Sequence, residues 1–207
     1  MINYKHKFIF LHVPKTGGRS IEKFFKSKNI LHDSSFYKIT PDPHHSLGEY
    51  SAMLDINNLF KFAFVRNPFD RVLSEYFYIK RWNGCLCSKE NFNKKFYSFK
   101  RFIKYGGLEC CWKWHANNQC QMIFNKDDKL DFVGKFENLQ EDFNAACDNI
   151  GIPQGQLHCK NKTNHKHYSE YYDDETRQIV AEKYAKDIEY FGYEFGQWNM
   201  YNLSDIV

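Results

Sequence analysis

No stretch of this 207-residue chain is apolar for long enough to cross a bilayer or to form the core of a signal peptide, so a cytoplasmic protein without a membrane span is expected. Net charge is also scarce. An excess of +4 is too small to argue for nucleic acid as a partner. The seven cysteines (Cys85, Cys87, Cys110, Cys111, Cys120, Cys147 and Cys159) contain no C-x-x-C pair, which removes the zinc knuckles, and their odd number leaves at least one unpaired. Most are expected to be reduced thiols, and no metal is expected. There is no internal repeat and no low-complexity linker. What the chain does have is apolar and aromatic bulk, 43% hydrophobic residues with 20 Phe, enough to bury one substantial core. The length favours a single domain over residues 1–207.

The most informative stretch is Phe8-Ile9-Phe10-Leu11-His12-Val13, followed at once by Pro14-Lys15-Thr16-Gly17-Gly18-Arg19-Ser20. It reads as a buried strand that breaks into a loop and then opens a helix, Ser20 to about Lys28. Gly17 and Gly18 let backbone N–H groups approach an anion, Lys15 adds a cation, Thr16 and Ser20 add hydroxyls, and the helix N-terminus supplies a favourable dipole end. A nucleotide kinase or ATPase loop places its Gly-Lys-Ser/Thr after a longer glycine loop, whereas here Lys15 precedes the glycines. A second strand, Phe60–Val65, ends in Arg66-Asn67-Pro68-Phe69-Asp70-Arg71-Val72-Leu73-Ser74-Glu75-Tyr76. Pro68 suits the first turn of a helix. Asp70 and Ser74 then fall one turn apart, Arg66 and Ser74 can converge, and Arg71 and Glu75 have ion-pair spacing.

P-K-T-G-G-R-S resembles the 5′-phosphosulfate loop of sulfotransferases that use 3′-phosphoadenosine 5′-phosphosulfate (PAPS), in particular the carbohydrate sulfotransferase branch. The resemblance implies that Lys15, Thr16, Gly17, Gly18, Arg19 and Ser20 hold the 5′ end of the donor. The R-N-P-x-x-R-x-x-S-x-Y element resembles the family's 3′-phosphate grip, with Arg66 and Ser74 in register. Many eukaryotic relatives are Golgi enzymes with a membrane anchor and stem. His44-His45-Ser46-Leu47-Gly48-Glu49 resembles the K-H-x-T-x-x-E element, which implies His45 as the catalytic histidine, although His44 replaces the Lys, Leu47 replaces the Thr, and the choice between the two histidines stays open. Glu49 shares a helical face with His45 and is expected to orient its ring. Val133-Gly134-Lys135-Phe136-Glu137-Asn138-Leu139 looks like the family's strand-to-helix turn, with Glu137 structural. Residues from Leu157 to Tyr172 resemble the loop that closes over the donor, with Lys162 and Thr163 as phosphate contacts. The resemblance spans nearly the whole chain and is weakest between about Trp82 and Lys129.

In that weak region Lys80, Arg81, Lys89, Lys94, Lys95, Lys100, Arg101 and Lys104 interleave with aromatics. Helical spacing assigns Phe96, Phe99 and Phe102 to the core and leaves the cations outward for an anionic acceptor. Further elements are expected as a short strand near Phe36–Ile39, helix Ser46–Leu54, helix Phe69–Arg81, helices at Lys95–Tyr105 and around Trp112–Phe124, strand Phe132–Lys135, helix Leu139–Ile150 and a last helix capped by Asp173 and Asp174 and running to about Tyr184. The expected architecture is an α/β fold of the P-loop type, a central parallel sheet flanked by helices. The expected activity is transfer of a sulfuryl group from PAPS to a carbohydrate hydroxyl, leaving PAP, with His45 as base and Lys15 at the leaving phosphate. The alternatives are a P-loop-like phosphotransferase, which lacks a recognisable metal-holding carboxylate here, and a nucleotide- or glycan-binding module without turnover.

Overall fold

The computed structural model describes residues 1–30, 44–82, 89–108, 113–126, 128–158 and 165–196. The chain forms two compact units, one of residues 1–65, 119–161 and 199–207, the other of residues 66–118 and 162–198. Each has its own hydrophobic core.

The first unit carries a four-stranded sheet in the order β1-β2-β3-β4, where β1 is Ile2–Asn3, β2 Phe8–Leu11, β3 Phe60–Val65 and β4 Phe132–Lys135. β2, β3 and β4 are parallel, and the short β1 runs antiparallel at the edge. The expected parallel α/β architecture is therefore present, with β3 and β4 at their expected bounds. The period of two in β2 and β3 stacks Phe8, Phe10, Phe62 and Phe64 on one face of the sheet. Helix α1 (Gly18–Ser27) brings Ile21, Phe24 and Phe25 to that face, and a later helix, Leu139–Ile150, brings Phe143, Ala146 and Cys147. The latter helix ends at Gly151, whose φ of 76° is the left-handed conformation expected of its C-cap. Each fully buried Phe stabilises the unit by about 1.5–3 kcal/mol over an exposed one. Between β2 and β3 lies α2 (Leu47–Met53), entered through a capping box in which Ser46 and Glu49 satisfy each other's backbone N–H groups. The strand expected near Phe36–Ile39 lies outside the described residues.

The second unit opens with α3 (Pro68–Trp82), where Pro68 takes the first helical position and the Asn67 side chain accepts from the Phe69 N–H. Then come α4 (Lys89–Lys95), α5 (Phe99–Lys104) and α6 (Lys113–Ala116). The first unit resumes with α7 (Gln119–Ile123), and Leu139–Ile150 is α8. The second unit ends with α9 (Asp174–Lys183) and α10 (Ala185–Phe191). Phe96, Phe99 and Phe102 are buried in its core, as their spacing requires. The single helix expected over Lys95–Tyr105 is broken: α4 stops at Lys95 and Ser98 caps a new start by accepting from the Arg101 N–H. Among the described residues no helix is long and apolar enough to cross a membrane.

Candidate functional site

In the first unit β2 ends at Leu11 and the chain turns through a tightly fixed loop into α1. The Thr16 hydroxyl donates to the Val13 carbonyl at 2.9 Å and is fully buried, so it holds the turn from within. Lys15 sits at φ +69° and Gly17 at φ +86°, both left-handed. A left-handed lysine is uncommon, and such backbone strain concentrates at ligand-binding turns. Gly17 is the N-cap of α1, its carbonyl accepting from the Ser20 and Ile21 N–H groups at 2.9 and 3.4 Å. Ser20 is buried, whereas Arg19 is 65% exposed with a guanidinium nitrogen 3.8 Å from Glu22.

The two glycines are also demanded by packing. A Cβ on Gly17 would lie 2.7 Å from a methyl of Leu139, and one on Gly18 would lie 2.2 Å from the imidazole of His12. His12 follows Phe8 and Phe10 on the same side of the strand, and its ring stacks on Phe10 at 5.9 Å. One turn beyond Gly18 on α1, Glu22 meets it: the His12 Nδ1–H donates to Glu22 Oε1 at 2.8 Å, with both side chains buried. Burial holds His12 below its ordinary pKa and therefore neutral. Burial works to raise Glu22, but the His12 hydrogen bond and the nearby cations outweigh it and keep the carboxyl ionised below its usual range. This pair was missed in the sequence. Its signal was parity, a histidine in strand register with buried phenylalanines and a glutamate one helical turn past a glycine.

The histidine pair lies in the same unit. His44 Nδ1 donates to the His12 carbonyl at 2.8 Å, and the two rings meet edge to face at 4.7 Å. His45 packs edge to face on Tyr50 at 5.6 Å. Its Nδ1 is buried with no hydrogen-bond partner among the described residues, and the nearest carboxylate oxygen, Glu49 Oε2, is 3.8 Å away. That oxygen is committed to the Ser46 N–H and hydroxyl, both at 2.8 Å. Glu49 therefore caps α2 and does not orient the His45 ring by a hydrogen bond.

In the second unit Arg66 is buried and grips Asp70 through Nε and Nη2 at 3.0 and 2.8 Å, one turn into α3. Ser74 stands a further turn along, and its hydroxyl makes no hydrogen bond among the described residues. Arg71 and Glu75 are each engaged elsewhere: Arg71 donates to the carbonyls of His115 and Asn117, and Glu75 accepts from His115 Nδ1 at 2.9 Å. Lys162 and Thr163 lie outside the described residues. His165 stacks on Phe77 at 5.1 Å, and His167 caps a short turn through Ser169. Glu137 lies in the single turn Phe136–Asn138 that leads into α8. Among the described residues no three His, Cys, Asp or Glu side chains gather as a metal site would require.

The basic stretch is partly neutralised. Lys94 pairs with Glu90, Lys100 with Asp173 at 2.6 Å, and Lys104 with Glu175 at 2.6 Å. The Lys100 hydrogen bond, with those from Thr176, holds Asp173 well below the usual carboxylate range. An open cavity of about 420 Å³ beside the end of α2, lined by Ser51, Asp55, Asn57 and Asp128 among others, contains none of the sequence-predicted site residues.

A left-handed turn between a buried strand and a ten-residue helix, with a strained Lys15 and a relaxed Gly17 at its two left-handed positions, has the form of turns that can receive an anion. The family model described as "Sulfotransferase family" matches residues 1–194. The chain belongs to the sulfotransferase family. Carbohydrate sulfotransferase 9 of Homo sapiens is 28% identical over 89% of this chain, which spans 47% of that protein's length. An uncharacterized protein of Archaeoglobus fulgidus is 35% identical over 45% of this chain and 68% of its own length. No solved structure matches the chain. The family assignment runs through both compact units, and it covers the loop at Lys15–Ser20, the His44-His45 pair and the Arg66–Ser74 element alike.

Proposed function

We propose that this chain is one sulfotransferase domain that moves the sulfuryl group of PAPS onto a carbohydrate hydroxyl and releases PAP. The observation that carries this reading is the left-handed loop, Lys15 at φ +69° and Gly17 at φ +86°, opening α1 in a chain matched to the family over residues 1–194. The residues suit such a donor. The Gly18 and Arg19 N–H groups, which open α1 ahead of the bonds from Ser20 and Ile21 to the Gly17 carbonyl, are the ones left for an anion, with the helix dipole behind them. Lys15 stabilises the negative charge that grows on the leaving phosphate oxygen. Arg66, already oriented by Asp70, and Ser74 take the 3′-phosphate. When bound, PAPS supplies the sulfuryl group and a phosphate leaving group, and a histidine of the His44-His45 pair takes the proton of the acceptor hydroxyl. A carbohydrate acceptor is supported by the likeness to the human carbohydrate sulfotransferase.

Titration calorimetry without magnesium tests the donor. PAP should bind at least about tenfold more tightly than AMP, and Arg66→Ala should weaken PAP by about 2–4 kcal/mol while changing AMP little. Equal affinities for the two nucleotides, or an absolute metal requirement, refute the reading.

A further inference from the structure

We infer that His44, and not its neighbour His45, is the proton acceptor, and that the buried His12–Glu22 pair positions it. This rests on the transfer reading above, and it picks, of the two histidines the sequence leaves open, the one that the resemblance does not align with the catalytic position. A carbonyl oxygen can only accept, so the 2.8 Å contact from His44 Nδ1 to the His12 carbonyl places a proton on Nδ1. In the neutral imidazole the basic lone pair is then on Nε2, and the ring is fixed by a backbone group that cannot rotate away. Nothing comparable holds His45. Its Nδ1 is buried with no hydrogen bond, and the carboxylate expected to orient it, 3.8 Å away, is consumed by the cap of α2.

The carbonyl that orients His44 belongs to a residue that is itself locked. The His12 imidazole fills the space beside Gly18 and donates to Glu22, which is fixed on α1 one turn further on. The same pair thus ties the start of α1, where the anion loop ends, to the carbonyl that sets the His44 tautomer. In the transfer His44 Nε2 takes the hydroxyl proton as the acceptor oxygen bonds to sulfur, and the bond from sulfur to the 5′-phosphate oxygen breaks with its electron pair leaving on phosphate. His44 is the catalytic residue; His12 and Glu22 are positioning residues.

The tautomer can be read without any substrate. With ¹⁵N-labelled histidine, long-range ¹H–¹⁵N spectra at pH 7.5 should show His44, assigned by its loss in His44→Gln, protonated at Nδ1 and bare at Nε2. Glu22→Ala should scramble that tautomer, and Glu22→Gln, whose amide oxygen still accepts from His12, should keep it. With radiolabelled PAPS and pooled desulfated glycosaminoglycans as acceptor, His44→Ala should lower kcat at saturating donor by about 100-fold or more and leave PAP affinity within about twofold, whereas His45→Ala should stay within about threefold. An Nε2–H tautomer at His44 in the native protein overturns the inference, as does a large kcat loss in His45→Ala with His44→Ala near wild type. A failure of the donor reading looks different, appearing as equal PAP and AMP affinity with the tautomer unchanged.

Discussion

Arg71 is the residue on which the second unit should depend most, and its removal gives a quantitative test. Its side chain is 2% exposed and makes three hydrogen bonds of 2.9–3.0 Å to the carbonyls of His115 and Asn117. Its guanidinium lies 5.6 Å over the ring of Tyr184 and 4.0 Å from Asp187, which is fully buried. Arg71→Met keeps much of the volume but strips two partly buried carbonyls of a charged donor and leaves the Asp187 carboxylate without its guanidinium. A buried acceptor deprived of its partner costs about 1–3 kcal/mol, and breaking one side of a buried ion pair costs about 3–5 kcal/mol. These are not additive, because the groups form one network, so the expected loss is about 3–5 kcal/mol in total. Urea unfolding followed by circular dichroism should show it as a lower midpoint with little change in slope, and melting should fall by about 10 °C for a chain of this size. Adding Asp187→Leu to Arg71→Met should recover part of the loss, since the buried charge that Arg71 opposed goes with it. A single variant costing less than about 1 kcal/mol, or a double variant less stable than the single, would sink the claim that Arg71 is a buried hub.

Two further outcomes follow from groups the fold buries. His12 stays neutral when folded but takes up a proton near its ordinary value of 6.5 when unfolded, so the unfolded chain binds the extra proton and stability should fall as pH drops through about 6.5. Glu22, held below its ordinary value of 4.5, adds a loss of the same sign at lower pH. Urea midpoints at pH 7 and pH 5 check this, and His12→Gln should flatten the difference; equal slopes in the two proteins would contradict it. Burial pushes the Cys147 thiol up to about 12, so iodoacetamide at pH 8 should leave Cys147 unmodified in the native protein and modify it in urea. Rapid native alkylation at that position would show that α8 does not seal it.

The parts of the fold that the sequence disclosed are those with local patterns. β2, β3 and β4 are apolar runs bounded by turn residues, and α1, α2 and α8 carry caps or terminal glycines that announce their ends. The elements that escaped have no such pattern. β1 is two residues long and exists through its pairing with β2. The break between α4 and α5 was hidden because the aromatic period runs across it, and only Ser98 marked the new start. α10 follows α9 so closely that Tyr184 serves as the C-cap of one and the N-cap of the other. At the site, the loop residues stood out because their types are rare in combination. The partners that fix them did not, since Leu139 under Gly17 comes from more than a hundred residues away, and Arg71 is matched to carbonyls at 115 and 117 that no spacing rule connects.

The loop itself shows why a motif and its physical cause can differ. Glycines at 17 and 18 invite the explanation that backbone must approach an anion, yet the protein's own packing asks for each, Gly17 by its φ and by Leu139, Gly18 by the His12 ring. Thr16 likewise spends its hydroxyl on the Val13 carbonyl. These internal contacts surround Lys15, which sits in its left-handed conformation, and fix the turn that leads into α1. If the loop takes the anion proposed for it, the ordering cost of the turn has already been met by folding, and the interactions left to the ligand are charge and hydrogen bonding. On that argument a substitution that loosens the scaffold, such as Glu22→Ala, should weaken anion binding without touching a ligand-facing atom. It would do so through a more mobile loop, which separates it from the direct loss of charge in Lys15→Ala.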